Sequence, residues 1–232
     1  MTDKTKITLI YSSVAVLCIL FISGFIFLGK LYDIKAEADK PLAVDIGKET
    51  FDELLQLNKD ITLTNQDGKT VSISELKDKV WVFAQFFAKC PMCAERNYTD
   101  LMKLYNQYKG NPDFMIVCMS VDPEADDVAK LKEYAEAVEA DTSNWWFLTG
   151  DRAEMHAYMS GEMKFLDIRE RTDELEIARK GRYAHDLGVA VFDQDLKMRV
   201  KVDLAFARSQ SHELLKTYEE KLHGAINLSL NN

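Results

Sequence analysis

The 232-residue chain lacks the excess of positive charge that nucleic-acid-binding surfaces require. It contains 29 lysine and arginine residues against 38 aspartate and glutamate residues, which gives a formal net charge of −9 at pH 7. No basic patch stands out from this acidic background. Because affinity for DNA or RNA depends on neutralising phosphates with lysine and arginine, we expect no nucleic-acid partner.

Charged residues are absent from one long segment, Ile7–Gly29. As a helix this segment would be about 34 Å long, enough to cross a hydrocarbon core of about 30 Å. A cleaved signal peptide would have a shorter apolar core and a small-residue cleavage site, which Lys30, Leu31 and Tyr32 do not provide. The sequence therefore predicts an uncleaved single-pass membrane anchor over residues 1–30, followed by a linker over residues 31–58.

Cysteine is scarce, with four in the chain, yet Cys90 and Cys93 lie close together after the apolar stretch KVWVFAQFF. A helix beginning near Pro91 would place both sulfurs at its N-terminus, where the helix dipole and free N–H groups favour the thiolate. Thiolates of low pKa serve both as a redox pair and as metal ligands. A purely structural disulfide is disfavoured because it would close a very short loop, and structural zinc is disfavoured because it needs four ligands.

His185 is a candidate third ligand, because it lies just before a predicted strand that would neighbour the cysteine-bearing strand. Two thiolates and one imidazole form a soft, low-coordinate set that suits copper(I), and an added ligand would admit copper(II). On the residues alone, an exposed loop histidine without a special role is the alternative. Met155, Met159 and Met163 repeat at helical spacing and suggest a copper-handling stripe, but we expect them to pack in a core.

Apolar patterns predict strands that alternate with helices, which is typical of a mostly parallel sheet covered on both faces. Cys118 lies within one of the predicted buried strands and is expected to be a core thiol. The order predicts an α/β fold, a thioredoxin-like domain with a central mixed sheet flanked by helices, over residues 59–226 and behind the transmembrane helix. In order, the predicted elements are a hairpin turning at Asn65–Gly68, a strand over Lys79–Phe87, a helix from Tyr98 ended by Gly110, a strand over Phe114–Val121, a helix over Val128–Val138, an extended piece at Trp145–Gly150, a helix capped by Asp151, a charged insertion over residues 160–182, a hairpin within Gly188–Val202, and a helix over Ser209–Leu222 closed by Gly224.

Taken together, these segments resemble the Sco (SenC) family of membrane-anchored, copper-binding cytochrome oxidase assembly proteins. The resemblance covers about Asp60–Leu204 and rests on the Asp-Gly hairpin followed by KVWVFAQFFAKCPMC, SVDPEAD, LKEYA, WWFLTG and AHDLGVAVFDQD. It implies a copper site formed by Cys90, Cys93 and His185. It also implies delivery of copper to the copper-bearing subunit of cytochrome c oxidase, or action on another thiol protein client. The domain beyond the anchor is expected outside the cytoplasm, in the periplasm or its equivalent.

The cysteine spacing departs from the family pattern, since two residues rather than three separate Cys90 from Cys93. This is the spacing of thioredoxin-type oxidoreductases, so an alternative function is thiol–disulfide exchange, in which Cys90 attacks and Cys93 resolves the mixed disulfide. A non-catalytic, membrane-tethered interaction domain is a third hypothesis. Thioredoxin-type enzymes place a cis-proline before a late strand. The chain has only Pro41, Pro91, Pro112 and Pro123, so no proline lies there, which favours the Sco resemblance over thiol–disulfide exchange.

Overall fold

A computed structural model describes residues 53–88 and 98–231. The predicted membrane anchor and the Cys90–Cys93 pair lie outside these residues. Within the described part of the chain, no helix combines the length and the apolar character needed to span a bilayer.

Ten β-strands are present in the described residues, eight in one mixed sheet and two in a separate ribbon. In chain order they are β1 (Leu55–Gln56), β2 (Thr62–Asn65), β3 (Thr70–Ser72), β4 (Val80–Phe86), β5 (Phe114–Ser120), β6 (Trp145–Thr149), β7 (Arg169–Glu170), β8 (Tyr183–Ala184), β9 (Val189–Phe192) and β10 (Lys197–Val202).

The main sheet has the strand order β1-β10-β9-β4-β5-β6-β2-β3, and the ribbon pairs β7 with β8. Strands β4, β5 and β6 run parallel, whereas the other neighbours in the sheet pair antiparallel. Parallel neighbours require crossover connections, which are supplied here by helices. The helices are α1 (Thr99–Tyr108) between β4 and β5, α2 (Val128–Ala137) between β5 and β6, α3 (Arg152–Ala157), α4 (Glu174–Lys180), α5 (Leu204–Gln210) and α6 (His212–Leu230), with a 3-10 turn at Ile73–Leu76 and a π-helical turn at Tyr158–Glu162.

The two central strands and the first hairpin follow the sequence prediction. The predicted strands over Lys79–Phe87 and Phe114–Val121 form β4 and β5. Hairpin β2–β3 turns at Gly68, whose φ of +73° lies in the left-handed region that glycine adopts without strain. Strand β1 lies inside the stretch predicted as linker and pairs with β10, so the sheet begins before residue 59.

The core has two layers because residues of each strand alternate between the faces of the sheet. One layer contains Val82 of β4 and packs against α1, α2 and α6, while the other contains Phe83 and packs against α3. Met155, Met159 and Met163 are fully buried in the second layer, which confirms that they belong to the core.

Cys118 lies in the first layer and is 1% exposed. The indole Nε1 of Trp145 donates a hydrogen bond to its sulfur at 3.4 Å. Burial raises the pKa of the Cys118 thiol to about 12, so this thiol stays protonated at neutral pH. The prediction of a core thiol is confirmed.

The predicted C-terminal helix is present, but its predicted bounds, Ser209–Leu222 with an end at Gly224, are wrong. Helices α5 and α6 meet at Ser211, whose backbone is extended and whose Oγ accepts a hydrogen bond from the N–H of Leu214 at 3.0 Å. This N-cap begins α6, and Gly224 lies inside it. A glycine within a helix costs about 1 kcal/mol, which the burial of residues such as Ile226 offsets.

Candidate metal and thiol site

His185 lies at the end of the sheet from which the chain continues toward the cysteines. It precedes β9, and β9 pairs antiparallel with β4 through Val189 and Ala84, so the segment before Val189 reaches the carboxyl end of β4. The His185 imidazole meets the ring of Phe87 edge-on, with ring centroids 5.9 Å apart. The structure thus places His185 beside the strand that leads to Cys90, as the sequence predicted. Both cysteines lie outside the described residues.

The hydrogen bond of His185 fixes which ring nitrogen carries the proton. Nδ1 lies 2.8 Å from the backbone oxygen of Asp186. Because a carbonyl oxygen only accepts, Nδ1 donates, and in the neutral imidazole Nε2 keeps its lone pair. Nε2 is therefore the nitrogen of His185 that is available to bind a metal.

The environment of His185 favours the neutral ring. Burial lowers the pKa of the imidazole, and the nearby Arg171 guanidinium lowers it further, while the hydrogen bond to Asp186 opposes them. A neutral imidazole is the form that coordinates metals.

Within residues 53–88 and 98–231, no three side chains of histidine, cysteine, aspartate or glutamate form a metal-binding cluster.

Asp186 is the most extensively bonded residue around His185. Its Oδ1 accepts from the N–H of Gly188 at 2.8 Å, and its Oδ2 accepts from the N–H of Leu166 at 3.0 Å and from Nζ of Lys201 at 2.5 Å. Its own N–H donates to Oε1 of Gln85 at 3.0 Å. These contacts were not predicted from the sequence, although Gln85 is a visible signal, because it is the single polar residue within WVFAQFF.

A second buried carboxylate holds the start of the segment that leads to the cysteines. The backbone N–H of Ala88 donates to both carboxylate oxygens of Asp126, at 3.2 and 3.1 Å. Ser120, at the end of β5, donates from Oγ to Asp126 Oδ2 at 2.6 Å and accepts from the N–H of Asp122 at 3.0 Å. Asp126 is only 1% exposed, so these bonds join the ends of β4 and β5 inside the protein.

The charged insertion, residues 160–182, lies on another side of the candidate site. Gly181 ends α4 with a φ of +81° and contacts Phe87 so closely that a Cβ there would lie 2.0 Å from Phe87 Cζ. Arg171 donates from Nη1 to the carbonyl oxygen of Gly181 at 2.9 Å and also to that of Tyr183. None of the side chains of α4 is buried, so this helix lies at the surface of the insertion.

Three parallel strands with crossover helices, followed by an antiparallel pair, define a thioredoxin-like fold. The site at the carboxyl ends of its parallel strands is where such α/β sheets bind their ligands. The SCO1/SenC family model matches residues 51–220, which is most of the chain. The chain belongs to the SCO1/SenC family.

A curated relative is similar to part of the chain. The SCO1 protein homolog of Bacillus subtilis (strain 168) is 38% identical over 109 residues, and the match covers 45% of this chain and 54% of that protein. The chain thus spans about half the length of this curated relative.

Two solved structures resemble the chain at moderate identity. A SCO1/SenC family lipoprotein from Bacillus anthracis str. Ames has a TM-score of 0.57 and 26% identity, and the match covers 75% of this chain and 98% of that one. BsSco, a member of the Sco family of cytochrome c oxidase assembly proteins in which a disulfide switch was identified, has a TM-score of 0.57 and 25% identity over 75% and 96% of the two chains.

A more distant structure supports the fold alone. Arabidopsis thaliana ScoI with copper bound has a TM-score of 0.53 and 19% identity, over 72% of this chain and 98% of that one.

Proposed function

We propose that the protein binds copper and assists its delivery to cytochrome c oxidase during assembly of that enzyme. The observation that carries this proposal is the position of His185, which lies at the end of the strand leading to Cys90 and whose Nδ1 is bonded to a carbonyl oxygen, so that Nε2 is left for a metal. Membership of the SCO1/SenC family and the similarity to BsSco, a member of the Sco family of cytochrome c oxidase assembly proteins, support it.

Copper is the cargo of this function, and Cys90, Cys93 and His185 are its proposed ligands. Two thiolate sulfurs and one imidazole nitrogen are soft donors that favour copper(I), and a further ligand would admit copper(II). Both thiols must lose their protons before they bind metal, so acid weakens binding. The His185 ring adds no such requirement at neutral pH, because its surroundings already lower the imidazole pKa.

A second candidate function, thiol–disulfide exchange, is favoured by the Cys-x-x-Cys spacing. The Cys90 thiolate attacks one sulfur of a client disulfide and forms a mixed disulfide, releasing the other client sulfur as a thiolate. The Cys93 thiolate then attacks Cys90, which releases the reduced client and leaves a Cys90–Cys93 disulfide. Two electrons pass to the client. The disulfide switch of BsSco is consistent with redox activity in such a pair.

The proposed setting is a membrane, with the anchor over residues 1–30 and the copper-binding domain outside the cytoplasm. A lipoprotein among the similar structures is consistent with attachment to a membrane. An oxidising compartment also suits a cysteine pair that cycles between dithiol and disulfide. The proposed clients are the copper-bearing subunit of cytochrome c oxidase and other thiol proteins.

The experiment that tests copper binding is competition between the reduced full chain and a copper(I) chelator at neutral pH. We expect His185→Ala to bind copper(I) at least about tenfold more weakly than the unsubstituted protein, because a ligand is lost. His212→Ala is the matched control, because His212 is exposed at the start of α6, and it should bind as tightly as the unsubstituted protein.

Thiol trapping on the same proteins separates the two functions. His185→Ala should still form the Cys90–Cys93 disulfide across a series of redox buffers, and Cys93→Ser should not. Cys118 should resist alkylation in the folded protein because its thiol is buried and protonated. The copper proposal fails if the reduced protein does not compete with the chelator, or if His185→Ala binds copper(I) as tightly as the unsubstituted protein.

A further inference from the structure

We propose that Asp186, held by Lys201 and Gln85, is the positioning residue that sets the tautomer and the orientation of His185. The inference rests on the proposed copper-binding role of His185, but its central observation concerns the metal-free protein. Asp186 does not touch the metal in this proposal. It acts through the backbone carbonyl that accepts the Nδ1–H of His185.

The backbone carbonyl of Asp186 can hold the His185 ring only if residue 186 is itself fixed. Asp186 is fixed by two backbone groups. Its carboxylate accepts hydrogen bonds from the N–H of Leu166, earlier in the chain, and from the N–H of Gly188, two residues later. The same carboxylate accepts from the ammonium group of Lys201 on β10. These three donors leave the carbonyl of residue 186 little freedom to turn away from His185.

The network around Asp186 lies inside the protein. Asp186 is 3% exposed and Gln85 is 1% exposed, while the Lys201 side chain is 11% exposed. A buried carboxylate needs a cation and hydrogen-bond donors to offset its lost hydration, and such pairs add little net stability over an apolar replacement. A buried pair beside a ligand is therefore better explained by the geometry it imposes than by the stability it adds.

The glycine before β9 leaves room for Lys201 to reach Asp186. A Cβ on Gly188 would lie 2.7 Å from Lys201 Cε and 2.9 Å from Asp186 Oδ1, so a side chain there would displace the lysine from its present path. The Lys201 ammonium also lies 3.9 Å from the centre of the Phe165 ring, which gives the cation a second favourable contact. Lys201 is thus held between an aromatic face and the carboxylate.

The network is also bonded to the strand that leads to the cysteines. Gln85 lies on β4, and its Oε1 accepts the N–H of Asp186, which ties the His185 loop to the end of that strand. Ligands must be held in a fixed relation to one another for a metal site to form readily, and bonds around the ligands provide this. Gln85 supplies one such bond between the two segments that carry the proposed ligands.

The test uses the reduced, metal-free full chain with ¹⁵N-labelled histidine, and NMR identifies the protonated ring nitrogen of His185 at neutral pH. We expect only the Nδ1–H tautomer in the unsubstituted protein. Lys201→Met should give a mixture of tautomers, because Asp186 loses its cation. Asp186→Asn should do the same, because an NH₂ group replaces one carboxylate oxygen and cannot accept the hydrogen bond that this oxygen accepted. Lys201→Arg keeps a cation and should restore the single tautomer at least in part.

The matched control is Lys197→Met, on the same strand. Lys197 pairs with Glu53 at the surface, 3.3 Å away, and does not contact Asp186, so His185 should keep its tautomer. The double variant Asp186→Asn, Lys201→Met leaves no unpaired buried charge. It serves as the test if either single variant does not fold. It should also show the mixture.

Copper(I) competition on the same variants measures the consequence for the site. Lys201→Met should bind copper(I) about tenfold more weakly, which is the effect typical of residues that orient a ligand. A mixture of tautomers in the Lys201 and Asp186 variants supports the inference even if no protein in the series binds copper. The absence of copper binding would overturn only the proposed function. An unchanged single tautomer in Lys201→Met, Asp186→Asn and the double variant would overturn the inference.

Discussion

The two central strands differ sharply between their bodies and their carboxyl ends. Residues 80–84 of β4 and 114–119 of β5 are apolar and buried. Near these carboxyl ends lie Gln85, the last residue but one of β4, and Ser120, the last residue of β5. Both are equally buried but polar, and their partners include Asp186 and Asp126. The same sheet therefore relies on apolar burial along its length and on directed hydrogen bonds at its end.

This difference separates stability from geometry. Apolar contacts do not depend on direction, so the bodies of the strands stabilise the fold without fixing any one group. Hydrogen bonds at the ends fix the positions of particular backbone groups, including the N–H of Ala88 and the carbonyl oxygen that His185 contacts. Substitutions in the two regions should therefore act in different ways.

The largest expected effect on folding comes from the strand bodies. Phe83→Ala should lower the free energy of unfolding by about 3–5 kcal/mol, because it removes a fully buried ring and leaves a cavity. Its ring lies 4.9 Å from that of Phe165 in an edge-on contact that is also lost. Denaturant unfolding of the full chain, followed by tryptophan fluorescence, measures the change.

Leu175→Ala is the control for that substitution. Leu175 is 69% exposed on α4, so its loss should change the free energy of unfolding by less than about 0.5 kcal/mol. A similar cost for both substitutions would show that the sheet does not depend on its apolar body.

An intermediate effect is expected at the polar ends. Asp126→Ala should lower the free energy of unfolding by about 2–4 kcal/mol, because the N–H of Ala88 and the hydroxyl of Ser120 lose a buried acceptor. Its neighbour Asp127 caps α2 at the surface by accepting from the N–H of Lys130, and Asp127→Ala should cost about 1 kcal/mol. Equal costs for the two neighbours would contradict the role of Asp126 as a buried joint between the strands.

The smallest effect is a dependence of stability on pH that lies away from the site. His223 is half-buried on α6, and its Nδ1 lies 3.0 Å from the hydroxyl oxygen of Tyr108. Burial lowers the pKa of His223, with Lys103 acting in the same direction and Glu219 opposing. As the pH falls below about 6.5, the unfolded imidazole takes up a proton more readily than the folded one. The stability contributed by neutral His223 is therefore present above that pH and is lost as the pH falls through the lower pKa of the folded state.

His223→Gln should reduce this dependence. The free energy of unfolding should fall less steeply below pH 6.5 in the variant than in the unsubstituted protein, as measured by denaturant titrations at several pH values. His212→Gln, at the exposed start of the same helix, should leave the slope unchanged. A slope that is the same in all three proteins would exclude His223 as its source.

The sequence predicted the elements whose signal is local. The apolar runs of β4 and β5 and the turn at Gly68 need only neighbouring residues to be recognised. Strand β1 was missed because it has two residues and depends on β10, far along the chain. The break between α5 and α6 was missed because Ser211 interrupts a helical pattern that continues on both sides.

Of the described residues at the candidate site, only His185 was proposed from the sequence. His185 could be proposed from its residue type and its place before a strand. Its supporting residues could not, because the bond from Asp186 to Gln85 joins positions 101 residues apart, and that from Ala88 to Asp126 joins positions 38 apart. Asp and Gln are also common on surfaces, so their burial is a property of the folded chain rather than of the sequence pattern.

The pairing of β4 with β9 has a consequence for how the chain is made. Synthesis proceeds from the N-terminus, so β4 and β5 leave the ribosome well before the Val189–Phe192 strand that covers the other edge of β4. During that interval one edge of the seven-residue, largely apolar strand β4 has unpaired backbone groups, with which strands of other chains can pair. The His185 loop is followed directly by the strand that covers this edge. The risk of aggregation therefore falls at about the same stage of synthesis at which the proposed metal site gains its histidine.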